Sequence, residues 1–305
     1  MKTLNNLTIP KKEISQLLIV IFFSVCIYFL MRNTVDRVTT EPAVITDKCT
    51  DTMNLSENLV LAQNAIVYDI RTNCVLYAKN IEKRVPVASL TKLMTSIVAT
   101  ESLAGTTELT ITEEDLEKPD SQGLRSGDIF TLDELIKLTL LTSSNDGAHA
   151  ISRYINKNIG EDENTLTLMN KKAVDIGMTN TVFYNESGLD EGSEYGSLST
   201  AKDMSILLSY IYTMKPELLD ITSTNNLTIS DRKGDALIYK NTNPYANTIP
   251  ALSLSKTGYT YISGGALGIV FEKAPLHPIV IVVLGSTKEG RFVDTLALVN
   301  KVLEK

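Results

Sequence analysis

The chain has 305 residues, 43% hydrophobic and 21% charged, a globular balance that excludes a disordered chain and fits one large domain or two small ones. Its formal charge is −7; residues 1–50 hold six basic and four acidic side chains, so the remainder carries −9 and offers nucleic acid no basic face. Two histidines, three cysteines, no Cys-x-x-Cys, no Gly-x-Gly-x-x-Gly and no phosphate-binding loop exclude the usual residue sets of zinc hydrolysis and nucleotide-driven chemistry, so no metal or cofactor is expected.

In chain order, Ile14–Met31 comes first: it is charge-free and about long enough to cross a bilayer core. Lys2, Lys11 and Lys12 precede it, which predicts a cytoplasmic tail over 1–13 and an external location for everything after Arg32. A cleaved signal would need a small-x-small site, and Phe29-Leu30-Met31-Arg32-Asn33 has none, so a single-pass signal anchor in the cell membrane is expected. Residues 32–57 are polar and aperiodic and read as a linker to a folded domain over 58–305. Cys26 lies in the apolar run, while Cys49 and Cys74 lie beyond it, where a disulfide and two free thiols both fit.

Ala65–Ile70 and Cys74–Lys79 predict a hairpin turning through Arg71-Thr72-Asn73. Ser89 then precedes Leu90, Leu93, Met94, Ile97 and Val98, a helical stripe. Thr131-Leu-Asp-Glu134 is a capping box for a helix reaching about Leu141. Further helices are predicted near 147–158, 163–176 and 200–214, with Gly177 suited to cap the second of these. Ala251–Thr257, Ala266–Glu272 and Ile279–Ser286 are strand candidates, and Arg291–Leu303 closes as an amphipathic helix. Two strands, a helical middle, three strands and a last helix predict an α+β type of α/β fold. Its antiparallel sheet is built from both chain ends, with a helical lobe inserted between them; a doubly wound parallel sheet is disfavoured.

Three short patterns follow in order: Ser89-Leu-Thr-Lys92, Ser143-Ser-Asn145 and Lys256-Thr257-Gly258. Singly the first two carry little, since Ser-x-x-Lys recurs at Ser253–Lys256 and Ser-x-Asn at Ser56–Asn58 and Ser223–Asn225. Lys-Thr-Gly occurs once, against about 0.07 occurrences expected by chance in a chain this long. Taken one at a time, Ser89 is an ordinary cap, Lys92 a solvated side chain, and Ser143 and Asn145 turn residues; order and context set them apart. Ser89 and Lys92 share a helix face. A serine hydroxyl needs a base, and a neutral lysine serves if burial or another cation disfavours its charge. Lys256 is the candidate cation, and the backbone N–H groups of Ser89 and Tyr259 are candidate oxyanion donors. Ser143 is placed to relay a proton to a leaving amine, and Asn145 to hold a substrate amide.

With these residues in view, the chain resembles the serine-type D-alanyl-D-alanine carboxypeptidases, the low-molecular-mass penicillin-binding proteins, over about 58–303. Val85-Pro-Val-Ala-Ser-Leu-Thr-Lys-Leu-Met-Thr95 is similar to the family's nucleophile segment, and Leu140-Leu-Thr-Ser-Ser-Asn-Asp-Gly147, preceded by Leu124-Arg-Ser-Gly-Asp128, to its second. Met169-Asn170, Gly177-Met178 and Ser187-Gly-Leu-Asp190 are similar to helical-lobe landmarks. Lys256-Thr-Gly-Tyr-Thr260 with Gly264-Gly265 is similar to the third segment. The resemblance implies a β-lactamase-like fold and metal-free cleavage of the terminal D-alanine of peptidoglycan stem peptides through an acyl-serine. It also implies inhibition by β-lactams. The implied catalytic residues are Ser89, Lys92 and Ser143, and the implied substrate-binding residues Asn145, Lys256, Thr257, Gly258 and Tyr259.

Three departures qualify the likeness. Anchoring is expected at the N-terminal run, not through the C-terminal amphipathic helix of many relatives. Asn241-Thr242-Asn243 has threonine where some relatives carry arginine, so the substrate carboxylate is expected at Thr257, Lys256 or Arg291. Cys74 stands where glycine is more usual. Two other functions fit parts of the sequence. A class A-like β-lactamase deacylates through a Glu-x-x-Leu-Asn loop, which Glu186-Ser-Gly-Leu-Asp190 misses by one residue. An inactive wall-binding relative has no chemical need for Lys92.

Overall fold

The structure is a computed structural model that describes residues 53, 55, 59–117, 123–160, 163–230 and 236–304. The tail 1–13, the apolar run Ile14–Met31 and Cys49 lie outside the described residues; among those described, no helix is long and apolar enough to cross a membrane. Cys74 is disulfide-bonded, which decides between the two states open to it; its partner lies outside the described residues. Met53, expected in the linker, is instead buried, and its N–H donates to the Leu76 carbonyl at 2.7 Å. The folded domain therefore reaches back past residue 58.

Strands β1 (Asn64–Asp69) and β2 (Cys74–Lys79) form the expected hairpin. Strands β3 (Val85–Pro86), β4 (Glu108–Thr110), β5 (Ile129–Thr131), β6 (Val182–Phe183) and β7 (Ser197–Ser199) are short. They are followed by β8 (Asn226–Ser230), β9 (Ala236–Lys240), β10 (Leu252–Thr260), β11 (Gly264–Glu272) and β12 (Pro278–Ser286). The helices are α1 (Thr91–Ser102), α2 (Leu132–Thr142), α3 (Asn145–Asn158), α4 (Thr165–Asp175), α5 (Ala201–Met214) and α6 (Gly290–Leu303).

The main sheet has the order β10-β11-β12-β1-β2 and every pairing is antiparallel. It joins the two ends of the domain as the chain order predicted. Its central strands read as unbroken apolar runs because both faces are covered. On β12, Val280, Val282 and Leu284 face the core shared with α5 and the helical lobe, while Ile279, Ile281 and Val283 face a second core shared with Phe292, Leu298 and Val302 of α6.

The lobe is built around α1, which is buried from Thr91 to Ala99. Thr131 and Glu134 form the expected capping box at α2, with Thr131 N–H donating to Glu134 Oε2 at 2.8 Å. At the end of α4 the Met178 N–H returns to the Ala173 carbonyl at 2.8 Å beside Gly177. The small sheets β3-β7-β6, β4-β5 and β8-β9 were not expected from sequence. Most have two or three residues per strand, too few for a period-two pattern to show.

Candidate active site

Three elements meet where the lobe faces edge strand β10. The first is a 3-10 turn, Ala88–Leu90, immediately before α1, so Ser89 sits at the α1 entrance and not as a side-chain cap of it. Ala88 is left-handed at φ 48°, a costly conformation for a residue with a Cβ. Its surroundings enforce it. The Thr91 hydroxyl donates to the Ala88 carbonyl at 2.8 Å, and Gly188 lies so close that an added Cβ would fall 2.0 Å from that carbonyl oxygen. On the other side, a Cβ at Gly258 would fall 3.0 Å from the Val87 carbonyl, so the glycine of the third pattern lets β10 approach the turn.

The second element is the α2–α3 joint. Ser143 ends α2 in the left-handed region at φ 62°, and Ser144 caps α3 by accepting the Gly147 N–H at 3.0 Å. These two caps place Ser143 and Asn145 side by side with opposite neighbours. The third element, β10, brings Lys256.

Lys92 is fully buried and its Nζ donates to Ser89 Oγ at 2.9 Å, Asn145 Oδ1 at 2.8 Å and the Ser187 carbonyl at 2.8 Å. Burial brings its ammonium down to about 7, with the Glu186 carboxylate pulling the other way. Lys256 is equally buried; its Nζ donates to Ser143 Oγ at 2.7 Å and to the Thr257 carbonyl at 2.9 Å. Its ammonium is held well below the ordinary range by burial first, then by repulsion from Lys92 and Arg291. Arg291 is buried as well, and its Nη1 donates to the Gly258 carbonyl at 2.6 Å.

A cavity of about 220 Å³ opens on this group. Seven of the nine residues singled out from sequence line it: Ser89, Ser143, Asn145, Thr257, Gly258, Tyr259 and Arg291. The other two, Lys92 and Lys256, hold its two serines from behind. The structure adds Thr242, whose hydroxyl accepts from Thr257 Oγ1 at 2.7 Å, and Lys288, near the Tyr259 ring. It also adds the Ser187 carbonyl as a seat for Lys92. Thr242 was visible in sequence only as a substitution, and a backbone carbonyl leaves no residue-type signal at all.

Among the described residues no carboxylate lines the cavity. Glu186, the residue that tempts a lactamase reading, has its Oε1 3.2 Å from His149 Nδ1 and does not line it. Among the described residues no three His, Cys, Asp or Glu side chains converge as metal ligands. The cleft thus gathers Lys92, Lys256, Arg291 and Lys288 with no acid on its wall, an arrangement suited to an anionic ligand and an activated serine.

A family profile described as D-alanyl-D-alanine carboxypeptidase matches residues 51–288. The D-alanyl-D-alanine carboxypeptidase DacF of Bacillus subtilis is 30% identical over 236 residues, 75% of this chain and 59% of that protein. A D-alanyl-D-alanine endopeptidase of Haemophilus influenzae is 33% identical over 218 residues, 70% of this chain and 71% of that protein. This chain thus spans less than two thirds of the Bacillus relative. Among solved structures, a penicillin-binding protein of Listeria monocytogenes in its ampicillin-bound form is similar with a TM-score of 0.69 at 29% identity, over 82% of this chain and 99% of that one.

Proposed function

The chain belongs to the D-alanyl-D-alanine carboxypeptidase family, and from that membership we propose that its domain is a serine DD-carboxypeptidase that removes the terminal D-alanine of peptidoglycan stem peptides. The observation that carries the reading is the buried Lys92 amine, 2.9 Å from Ser89 Oγ, in a cavity walled by cations and no carboxylate.

The substrate's terminal carboxylate supplies the anion that the cleft lacks. It binds among Thr257, Lys256 and Arg291, and its charge restores the ammonium form of Lys256. Asn145 holds a substrate amide. Ser89 Oγ attacks the carbonyl of the penultimate D-alanine while the neutral Lys92 amine takes its proton. A C–O bond forms, the carbonyl electron pair moves onto oxygen, and the N–H groups of Ser89 and Tyr259 stabilise that charge. Collapse breaks the C–N bond, and Ser143, backed by Lys256, hands its proton to the departing amine of D-alanine and takes in its place the one that Lys92 removed from Ser89, so that Lys92 is neutral again. Water then attacks the acyl-Ser89 ester with Lys92 as base, releasing the shortened peptide and restoring the hydroxyl. No step calls for a metal or cofactor.

A β-lactam fits the same scheme, acylating Ser89 as an inhibitor. With no carboxylate on the cavity wall to activate water quickly, that acyl-enzyme persists, which separates this reading from a β-lactamase. The test is incubation with a D-Ala-D-Ala pentapeptide while following free D-alanine, beside intact-mass measurement after penicillin. D-alanine release and a long-lived adduct on Ser89 support the reading. Fast penicillin turnover points to a lactamase, and neither labelling nor release points to an inactive relative. We further infer a single-pass anchor at Ile14–Met31 with the catalytic domain outside the cell membrane. It is supported by the charge-free run, its basic N-terminal flank and a substrate that lies beyond the membrane.

A further inference from the structure

The back wall of the site is the segment 185–189, and it is tied to α1 through two successive carbonyls. Thr95 Oγ1 donates to the Glu186 carbonyl at 2.6 Å and Lys92 Nζ to the Ser187 carbonyl at 2.8 Å, from donors three residues apart on α1. Asn185 shapes the segment from inside, its Oδ1 accepting the Gly188 N–H at 2.7 Å and its Nδ2 donating to the Leu189 carbonyl at 2.8 Å. The Glu186 side chain leaves this wall and meets His149 Nδ1 at 3.2 Å. His149 lies four residues after Asn145, so one face of α3 presents Asn145 to Lys92 and His149 to the segment that seats Lys92. Both members of the pair are largely sheltered, at 25% and 17% side-chain exposure.

We propose that His149 and Glu186 are positioning residues for the acylation reaction: their pair ties segment 185–189 to α3 and sets the charge that faces the Lys92 amine. The proposal rests on the serine-peptidase reading above. A bare Glu186 carboxylate favours the charged form of Lys92, the form that cannot accept the Ser89 proton. His149 Nδ1, 3.2 Å from Oε1, holds that carboxylate against α3 and so fixes its place relative to the Lys92 amine, which burial keeps neutral. Lys256 stands across the site on β10, and Asp146 is buried on α3 itself. Arg153, four residues on from His149, is held by Asp115 at 2.7 Å, and Lys172 of α4 by Glu101 at 2.7 Å.

The test is the pH dependence of the second-order rate of acylation by a fluorescent penicillin, using the full chain in detergent. Glu186→Gln should move the acid limb to lower pH by about half a unit or more, because the charge that opposes neutral Lys92 is gone. Glu186→Asp keeps the charge and should return the limb most of the way. His149→Asn should move the limb upward when Glu186 is present and leave it in place in the Glu186→Gln background. An unmoved limb in Glu186→Gln, or a His149→Asn shift of equal size in both backgrounds, overturns the proposal. If the glutamine variant folds poorly, His149→Asn with Glu186 present keeps the test decisive, since an unmoved limb there also overturns the proposal. Failure of the unsubstituted chain to acylate at any pH is a different result: it refutes the peptidase reading itself.

Discussion

Two lysines buried in one cleft must divide their work by contact, because burial disfavours charge on both. Lys92 touches the Ser89 hydroxyl and Lys256 touches Ser143. Ser89→Ala should therefore abolish penicillin labelling and D-alanine release, a loss of roughly 10⁴-fold or more, with the melting temperature nearly unchanged. Retained covalent labelling would disprove the assignment. Lys92→Arg should be almost as inactive, since a guanidinium does not give up its proton at working pH, whereas Lys256→Arg keeps a positive charge and should retain more acylation. Because the Lys92 ammonium lies at about 7, the acylation rate should rise with pH through about 7 and then level off. The same displacement acts on stability. Between about pH 7 and the ordinary lysine range the unfolded chain binds a proton that the folded chain does not, so Lys92 makes stability rise with pH across that window, as denaturation midpoints can show. These residues were legible in sequence because Ser-x-x-Lys is a local helical relation and Lys-Thr-Gly a contiguous string. The Ser187 carbonyl, Lys288 and the His149–Glu186 pair were not, since their roles arise from contacts between distant segments or from the backbone alone.

At the scale of elements, the turn that carries Ser89, the proposed nucleophile, is strained and its neighbours hold it there. Gly188→Ala would place a Cβ 2.0 Å from the Ala88 carbonyl at a φ of 74°. It should cost about 1–3 kcal/mol of stability and, by displacing the Ser187 carbonyl beside it, slow acylation as well. Thr131→Ala makes the contrast. It removes the capping box at the start of α2, far along that helix from Ser143, and should cost about 1 kcal/mol with kcat/KM unchanged. Denaturation and acylation rates measured on both variants separate the two effects; a kinetic defect in Thr131→Ala would mean that α2 positions Ser143 along its whole length. The elements that sequence predicted best have strong local signals: the capping box, the Cys74–Lys79 strand and the long apolar runs of β10, β11 and β12. The 3-10 turn at Ser89 was missed because the helical stripe of α1 continues back through Leu90, and only the tertiary contacts of Ala88 decide where the α-helix begins.

At the scale of the whole molecule, a sheet sewn from both ends of the domain makes the N-terminal boundary part of the fold. Met53 packs in the core between the sheet and α6, with Val60 and Ala62 beside it in the same cluster. A chain beginning at Asn54 should fold and remain active, yet melt lower than one beginning at residue 45, because it loses a buried methionine, worth about 1.5–3 kcal/mol, together with every cysteine that could pair with Cys74. Equal melting temperatures would show that residues 45–53 contribute nothing to the fold. The disulfide at Cys74 suits an oxidising compartment, in keeping with a domain held outside the membrane. That placement gives the remaining prediction. If Ile14–Met31 is an uncleaved anchor, the mature chain should fractionate with membranes. Protease added to intact, wall-stripped cells should then remove the domain and leave the tail 1–13 protected. An uncharged run of this length is stable in the bilayer core, the lysines before it resist crossing, and the proposed peptide substrate is one found on the far side. A mature chain starting after Met31 and recovered free in the medium would instead make the run a cleaved signal and the domain a secreted one.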